Sequence, residues 1–251
     1  MAALGTLVVD ESDVAPVRRD GDTASVRVTF DASTGCERLE QRVIDFGPGR
    51  SADRRLEGKQ EVLYVVGGAG QLHLEGEAHP VEPGTGVFVA PGETWAIETT
   101  GADAVRVVSV VTAADGPRPE GGRKVTVRFD DQPELEASSE RSFRYLVNEE
   151  AGCVDVTQFL GIVQPSKAPF HSHPYDEVGY VVEGEGVAHV GGRSVPLKAG
   201  SCFHLPPDEV HCIENSGSGP MQILGVFHPS GSPANRAYPD NNEAGTASQV
   251  G

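Results

Sequence analysis

The chain has 251 residues, of which 37 are acidic and 20 basic, and a formal charge of −17. That balance, with no basic patch visible, argues against nucleic acid or an anionic membrane as a partner. Hydrophobic residues make up 38% of the chain, and 31 glycines and 18 prolines punctuate it, so short strands and turns suit it better than long helices; no apolar stretch is long enough to span a bilayer.

The opening MAALGTLVVDESD has no basic leader and only a short apolar run, so it does not read as a secretory signal. Residues 1–24 read as an N-terminal arm. Beyond them, short segments rich in Val, Ile, Phe and Thr recur between Gly/Pro clusters: 62–66, 87–90, 105–111, 178–182 and 223–227. Little helical periodicity is present, which predicts an all-β chain. Residues 112–122, rich in Gly, Pro and charge, read as a linker, and the polar stretch from about 230 reads as an extended arm with a disordered tip. The four cysteines, Cys36, Cys153, Cys202 and Cys212, show no paired spacing, so free thiols in a cytoplasmic protein are expected.

The two halves align on each other. EVLYVVGGAG at 61–70 matches EVGYVVEGEG at 177–186, and GTGVFVAP at 84–91 matches GSCFHLPP at 200–207, both at an offset of 116 (177 − 61 and 200 − 84). Gly35-Cys36 echoes Gly152-Cys153 at 117. A fixed period across separate blocks marks a duplicated unit.

In the second unit His171 and His173 stand two residues apart, and on a strand such residues share a face. Glu177 follows after a Pro174-Tyr175-Asp176 bend, and His211 lies beyond Gly200 and a Pro206-Pro207 turn. Three imidazoles and a carboxylate form a mixed nitrogen and oxygen set that suits Fe, Mn, Ni, Cu, Co or Zn better than Ca or Mg. Alternation predicts that Phe203 and Leu205 face the same interior as pocket walls, with His204 opposite. His73, His79, His189, His204 and His228 lie outside this pattern and read as ordinary exposed or hydrogen-bonded histidines.

The spacing His171-x-His173-x3-Glu177-x6-Gly184, followed by Gly200-x5-Pro206-x-Asp208-x2-His211-x3-Asn215, resembles the two motifs of the cupin superfamily. Two turn positions depart, with Pro165 and Asp208 standing where the motifs carry glycine. The resemblance implies two double-stranded β-helix (jelly-roll-like) barrels in tandem. It divides the chain into the arm 1–24, a degenerate metal-free cupin 25–111, a linker and entry segment 112–141, a metal-binding cupin 142–229 and a C-terminal arm and tail 230–251. It also implies one divalent transition metal per chain, iron first, held by His171, His173, Glu177 and His211. In the first unit the corresponding positions are Arg55, Glu57, Glu61 and Trp95; Arg and Trp are not usable ligands, and Arg55 is expected to pair with Glu57 or Glu61.

The function implied is a metal-dependent enzyme acting on a small organic acid or a phenolic, enolizable substrate, with a dioxygenase-type oxidoreductase expected first. A non-redox isomerase, decarboxylase or hydrolase is the second reading, and a non-catalytic small-molecule binder the third. No residue is assigned a proton-transfer role. The resemblance is compatible with a homodimer, which nothing in the sequence fixes.

Overall fold

The computed structural model describes residues 7–116 and 122–239; the expected C-terminal tip lies outside them. Among the described residues the only helical pieces are single 3-10 turns at Glu11–Asp13, Ala32–Thr34, Phe129–Asp131 and Glu149–Ala151. Among the described residues no helix is long and apolar enough to cross a membrane. All strand pairing is antiparallel, and the strands build two barrels, as the duplicated sequence predicts.

Each barrel closes a large sheet against a smaller one. In the second, the large sheet runs Val8–Asp10, Ser201–Leu205, Asp176–Glu183, Met221–His228, Thr157–Val163, Arg141–Val147 and Leu135–Ser138. Facing it are Ser166–Lys167, His211–Asn215, Glu185–Val190 and Arg193–Lys198. The first barrel repeats this plan around Lys59–Gly67, Thr85–Val89 and Val105–Ala113.

The large sheets are buried on both faces. In Lys59–Gly67, Leu63 and Val65 point into the first barrel, whereas Val62 and Tyr64 join a core lying between the barrels. In Asp176–Glu183, Val181 points into the second barrel, whereas Val178 and Tyr180 join that same shared core. Burial on both faces is why these segments read as continuous apolar runs rather than as alternation. The tight turns recur in register: Gly68 and Gly184 have φ of 74° and 90°, and a Cβ on Gly68 would lie 2.2 Å from the Ala104 carbonyl oxygen. Asp208, at φ 63°, takes the left-handed conformation where the motif carries glycine, a conformation aspartate tolerates better than most residues.

Four strands lie in segments that the sequence presents as arm and linker, Val8–Asp10, Val17–Arg18, Thr126–Arg128 and Leu135–Ser138, and two of them cross to the other barrel. Val8–Asp10 precedes the first barrel yet pairs with Ser201–Leu205 of the second. Thr126–Arg128 precedes the second barrel yet pairs with Thr85–Val89 of the first. Glu11 then ties the barrels electrostatically, accepting from Arg106 at 2.6 Å and from the Tyr180 hydroxyl at 3.1 Å. Residues 126–251 expressed alone therefore lack an edge strand and expose half of the shared core. They are expected to aggregate or dimerise, as read by light scattering, and a stable monomer would contradict this account.

Candidate metal centre

The four ligand-type residues come from three places in the second barrel. His171 and His211 form an isolated bridge with reciprocal backbone hydrogen bonds of 3.0 and 2.9 Å, which sets their rings 4.6 Å apart. Asp208 N–H donates to the His173 carbonyl at 2.9 Å, so the turn before His211 is pinned to the His171-Ser172-His173 segment. Glu177, near the start of Asp176–Glu183, points back into the barrel. One donor atom each from His173, Glu177 and His211 lies within 4.8 Å of the others. His171 stands beside His211, its ring 6.4 Å from that of His173, and all four side chains are buried.

The rings are oriented by what their second nitrogens touch. His171 Nδ1 lies 3.0 Å from the Pro169 carbonyl oxygen and His211 Nδ1 lies 2.8 Å from that of Glu209. A carbonyl only accepts, so each Nδ1 carries the proton and each Nε2 presents a lone pair. His173 Nε2 contacts a Glu177 oxygen at 2.8 Å, while its Nδ1 is buried without a hydrogen-bond partner among the described residues. Burial, reinforced by the adjacent His211, lowers the His171 pKa to about 3. Burial also lowers that of His211. Burial alone would lower His173 as well, but the Glu177 carboxylate outweighs it and the net shift is upward. Two neutral, preoriented imidazoles beside a carboxylate and an under-satisfied third imidazole fit a divalent transition metal chemically.

The cavity at this site is small, about 90 Å³. Phe203 and Leu205 line it, as alternation predicts, and Phe159 and Phe227 close another side. Two residues not expected from the sequence also line it, Arg141 and Arg236. Arg236 arrives on the C-terminal arm. That arm is fastened by two Ser172–Ala237 backbone bonds of 2.8 Å, by Asn235 donating to the Tyr175 hydroxyl at 3.0 Å, and by Gly231 seated on the Tyr175 ring. No periodicity or motif marks a single arginine in such an arm, and Arg141 opens its strand like any polar residue. His204 does face away from Phe203 and Leu205, but it is not on the surface: it is buried between the barrels and bonds Asp176 at 2.6 Å.

The corresponding positions of the first barrel are engaged otherwise. Arg55 pairs with Glu57 at 2.6 Å near the surface. Glu61 turns inward, accepts from Trp95 Nε1 at 3.0 Å and from the Ser109 hydroxyl, and has Arg42 at 3.9 Å. A tryptophan–carboxylate bond thus joins the two positions that Glu177 and His211 occupy in the second barrel.

The family model described as a cupin domain matches residues 42–111 and 159–227, together more than half of the chain. An oxalate-binding protein of Thermotoga maritima is 39% identical over 63 residues, which cover 25% of this chain and 52% of that protein. An uncharacterised protein of Methanocaldococcus jannaschii is 34% identical over 65 residues, covering 26% and 52%. The chain thus spans about half the length of the curated relatives it matches. Among solved structures, a deletion mutant of Bacillus subtilis oxalate decarboxylase superposes with a TM-score of 0.73 at 15% identity, over 92% of this chain and 80% of that one. An oxalate decarboxylase structure concerned with substrate binding and reaction specificity gives 0.75 at 15% identity, over 95% and 80%. At such identity the likeness is one of fold.

Phe203 reaches this site across Gly179, where an added Cβ would meet the Phe203 ring at 2.0 Å. Gly179→Ala is expected to displace the ring and destabilise the protein by about 1–3 kcal/mol, the usual cost of overpacking a core. Thermal melting checks it, and an unchanged melting temperature would refute the contact.

Proposed function

The chain belongs to the cupin family, and from that premise we propose that its second barrel holds a divalent transition metal through His171, His173, Glu177 and His211 and acts as an enzyme on a small organic acid. The observation that carries this reading is the pair Arg141 and Arg236. Both line the cavity; Arg141 donates to the Ile213 carbonyl and Arg236 Nε to the Pro233 carbonyl at 3.0 Å, and neither forms an ion pair with a carboxylate among the described residues, although the chain has 37 acids for 20 bases. Guanidinium groups left without an acidic partner beside a metal site are suited to a carboxylate that arrives with the substrate. The cavity volume favours a compact molecule, and the similarity to an oxalate-binding protein and to oxalate decarboxylases supports the same substrate class.

A metal held by these four residues would supply Lewis acidity. The chain's own residues do the rest. Arg236 and Arg141 neutralise and orient the carboxylate, and Phe159, Phe203 and Phe227 exclude water so that these charges act in a low-dielectric setting. The same apolar wall also suits oxygen beside a metal, which keeps a dioxygenase, with iron as the first metal to examine, as the second reading against a decarboxylase or other lyase.

His173→Ala is expected to abolish metal binding by this barrel, whereas Glu61→Gln, in the first barrel, leaves it intact; elemental analysis of the purified variants checks both. Arg236→Ala should keep the metal but weaken binding of a small acid such as oxalate about tenfold or more by calorimetry, the scale of one charge-assisted hydrogen bond. Unchanged affinity would defeat the small-acid reading. Across a panel of small acids and phenolics, oxygen uptake supports the dioxygenase, and carbon dioxide release without uptake supports the decarboxylase. Saturable binding with no turnover on the panel reduces the protein to a binder.

A further inference from the structure

A second cluster of ligand-type side chains lies outside this cavity, on the junction between the barrels. Asp176 neighbours Glu177 in sequence but points the opposite way, out of the second barrel. His204, on Ser201–Leu205, shares that outer face and bonds Asp176 through Nε2 at 2.6 Å. From the first barrel comes Cys36, just after the 3-10 turn Ala32–Thr34. One donor atom from each of Cys36, Asp176 and His204 lies within 4.8 Å of the others, and all three residues are buried.

A cavity of about 390 Å³ reaches this cluster from the surface. Cys36 lines it together with His228. His228 is the register partner of Asp176 on the adjacent antiparallel strand, so the two side chains lie on the same face. Its Nδ1 is buried with no hydrogen-bond partner among the described residues.

The duplicated architecture supplies an internal control. At the offset of 116, Asp176 corresponds to Gln60, His204 to Phe88 and His228 to Thr112, while Cys36 corresponds to Cys153 at 117. In that opposite corner Cys153 Sγ sits 3.6 Å from Gln60 Oε1 and Gln60 Nε2 donates to Asp155 at 2.7 Å; Thr112 instead lines the same cavity as Cys36 and His228 and donates to the Arg38 carbonyl at 2.9 Å. Phe88 packs in the shared core there. The junction therefore folds around an amide and a phenyl ring beside a thiol on one side. Its packing does not call for a carboxylate and an imidazole beside a thiol on the other.

We propose that Cys36, Asp176 and His204, with His228 at the cavity edge, form a second metal site for a thiophilic divalent ion of the zinc class, clamping the two barrels together. A thiolate with imidazole and carboxylate is a zinc-type donor set, unlike the sulfur-free set of the second barrel. On binding, the Cys36 thiol gives its proton to solvent and the metal–sulfur bond forms; the Asp176–His204 hydrogen bond opens, the Nε2 proton moves through solvent to Nδ1, and the freed Nε2 and the carboxylate turn to the ion; no oxidation is involved.

Sulfur makes the site spectroscopically distinct. Titrating the metal-free full-length protein with Co²⁺ is expected to give a thiolate-to-cobalt charge-transfer band in the near ultraviolet, which the second barrel's donors cannot produce. Cys36→Ala and His204→Phe, the latter installing the ring found at Phe88, should each lose the band and one bound equivalent. His173→Ala and Cys153→Ala should keep the band. Circular dichroism confirms that each variant is folded, and His204→Phe, built on the opposite corner, covers the case in which Cys36→Ala is not. Saturation with Co²⁺ and no such band, or a band that persists in folded Cys36→Ala or His204→Phe, would overturn the proposal. Both results are independent of whether the second barrel turns over an acid.

Discussion

The two-residue alternation of one strand organises the molecule. Along Asp176–Glu183, Glu177, Gly179 and Val181 face the interior of the second barrel, and Asp176, Val178 and Tyr180 face the first barrel. A single strand thus carries a candidate ligand, the gap that receives the Phe203 ring, and two side chains of the core between the barrels. A slip of one residue would turn Glu177 into the apolar junction and expel Tyr180 from it, so the register is fixed from both sides at once. Ser201–Leu205 obeys the same rule, with Phe203 and Leu205 on one face and Cys202 and His204 on the other.

Electrostatics separates the barrels more sharply than packing does. Both are built on the same turns and strand order, yet the first closes its interior with Trp95 and Glu61 bonded to each other, while the second keeps three imidazoles and a carboxylate side by side. Burial raises the pKa of Glu61 even though Ser109 and Trp95 donate to it and Arg42 lies nearby, which marks how far it is removed from solvent. The cavity of the second barrel instead collects imidazoles and two guanidinium groups bonded to backbone carbonyls rather than to carboxylates, inside a strongly acidic chain.

Much of this was legible in the sequence because it depends on local periodicity. The offset of 116 revealed the duplication, the His171/His173 spacing and the motif register gathered the candidate ligands, and alternation put Phe203 and Leu205 on one face. What escaped depends on contacts between segments far apart in the chain. Arg236 reaches the cavity only because Ala237 pairs with Ser172, and nothing near either residue announces that pairing. His204 was rightly set opposite Phe203, but opposite meant another barrel and not water, since alternation gives the side of a strand and not what covers that side. Val8–Asp10 and Thr126–Arg128 are three-residue strands, too short to show a period at all.

The exchange of those two short strands bears on how the protein responds to dilution. Each unit lends the strand before it to the other unit: Val8–Asp10 to the second barrel and Thr126–Arg128 to the first. Two separate chains making the same reciprocal loan would form a dimer whose stability fell with concentration, because each barrel would lose an edge strand on dissociation. Joining both units in one chain makes the partner a permanent neighbour at high effective concentration. Mass action then no longer governs whether the barrels stay paired, and the junction between them is free to carry polar groups that a dissociating interface would keep returning to water.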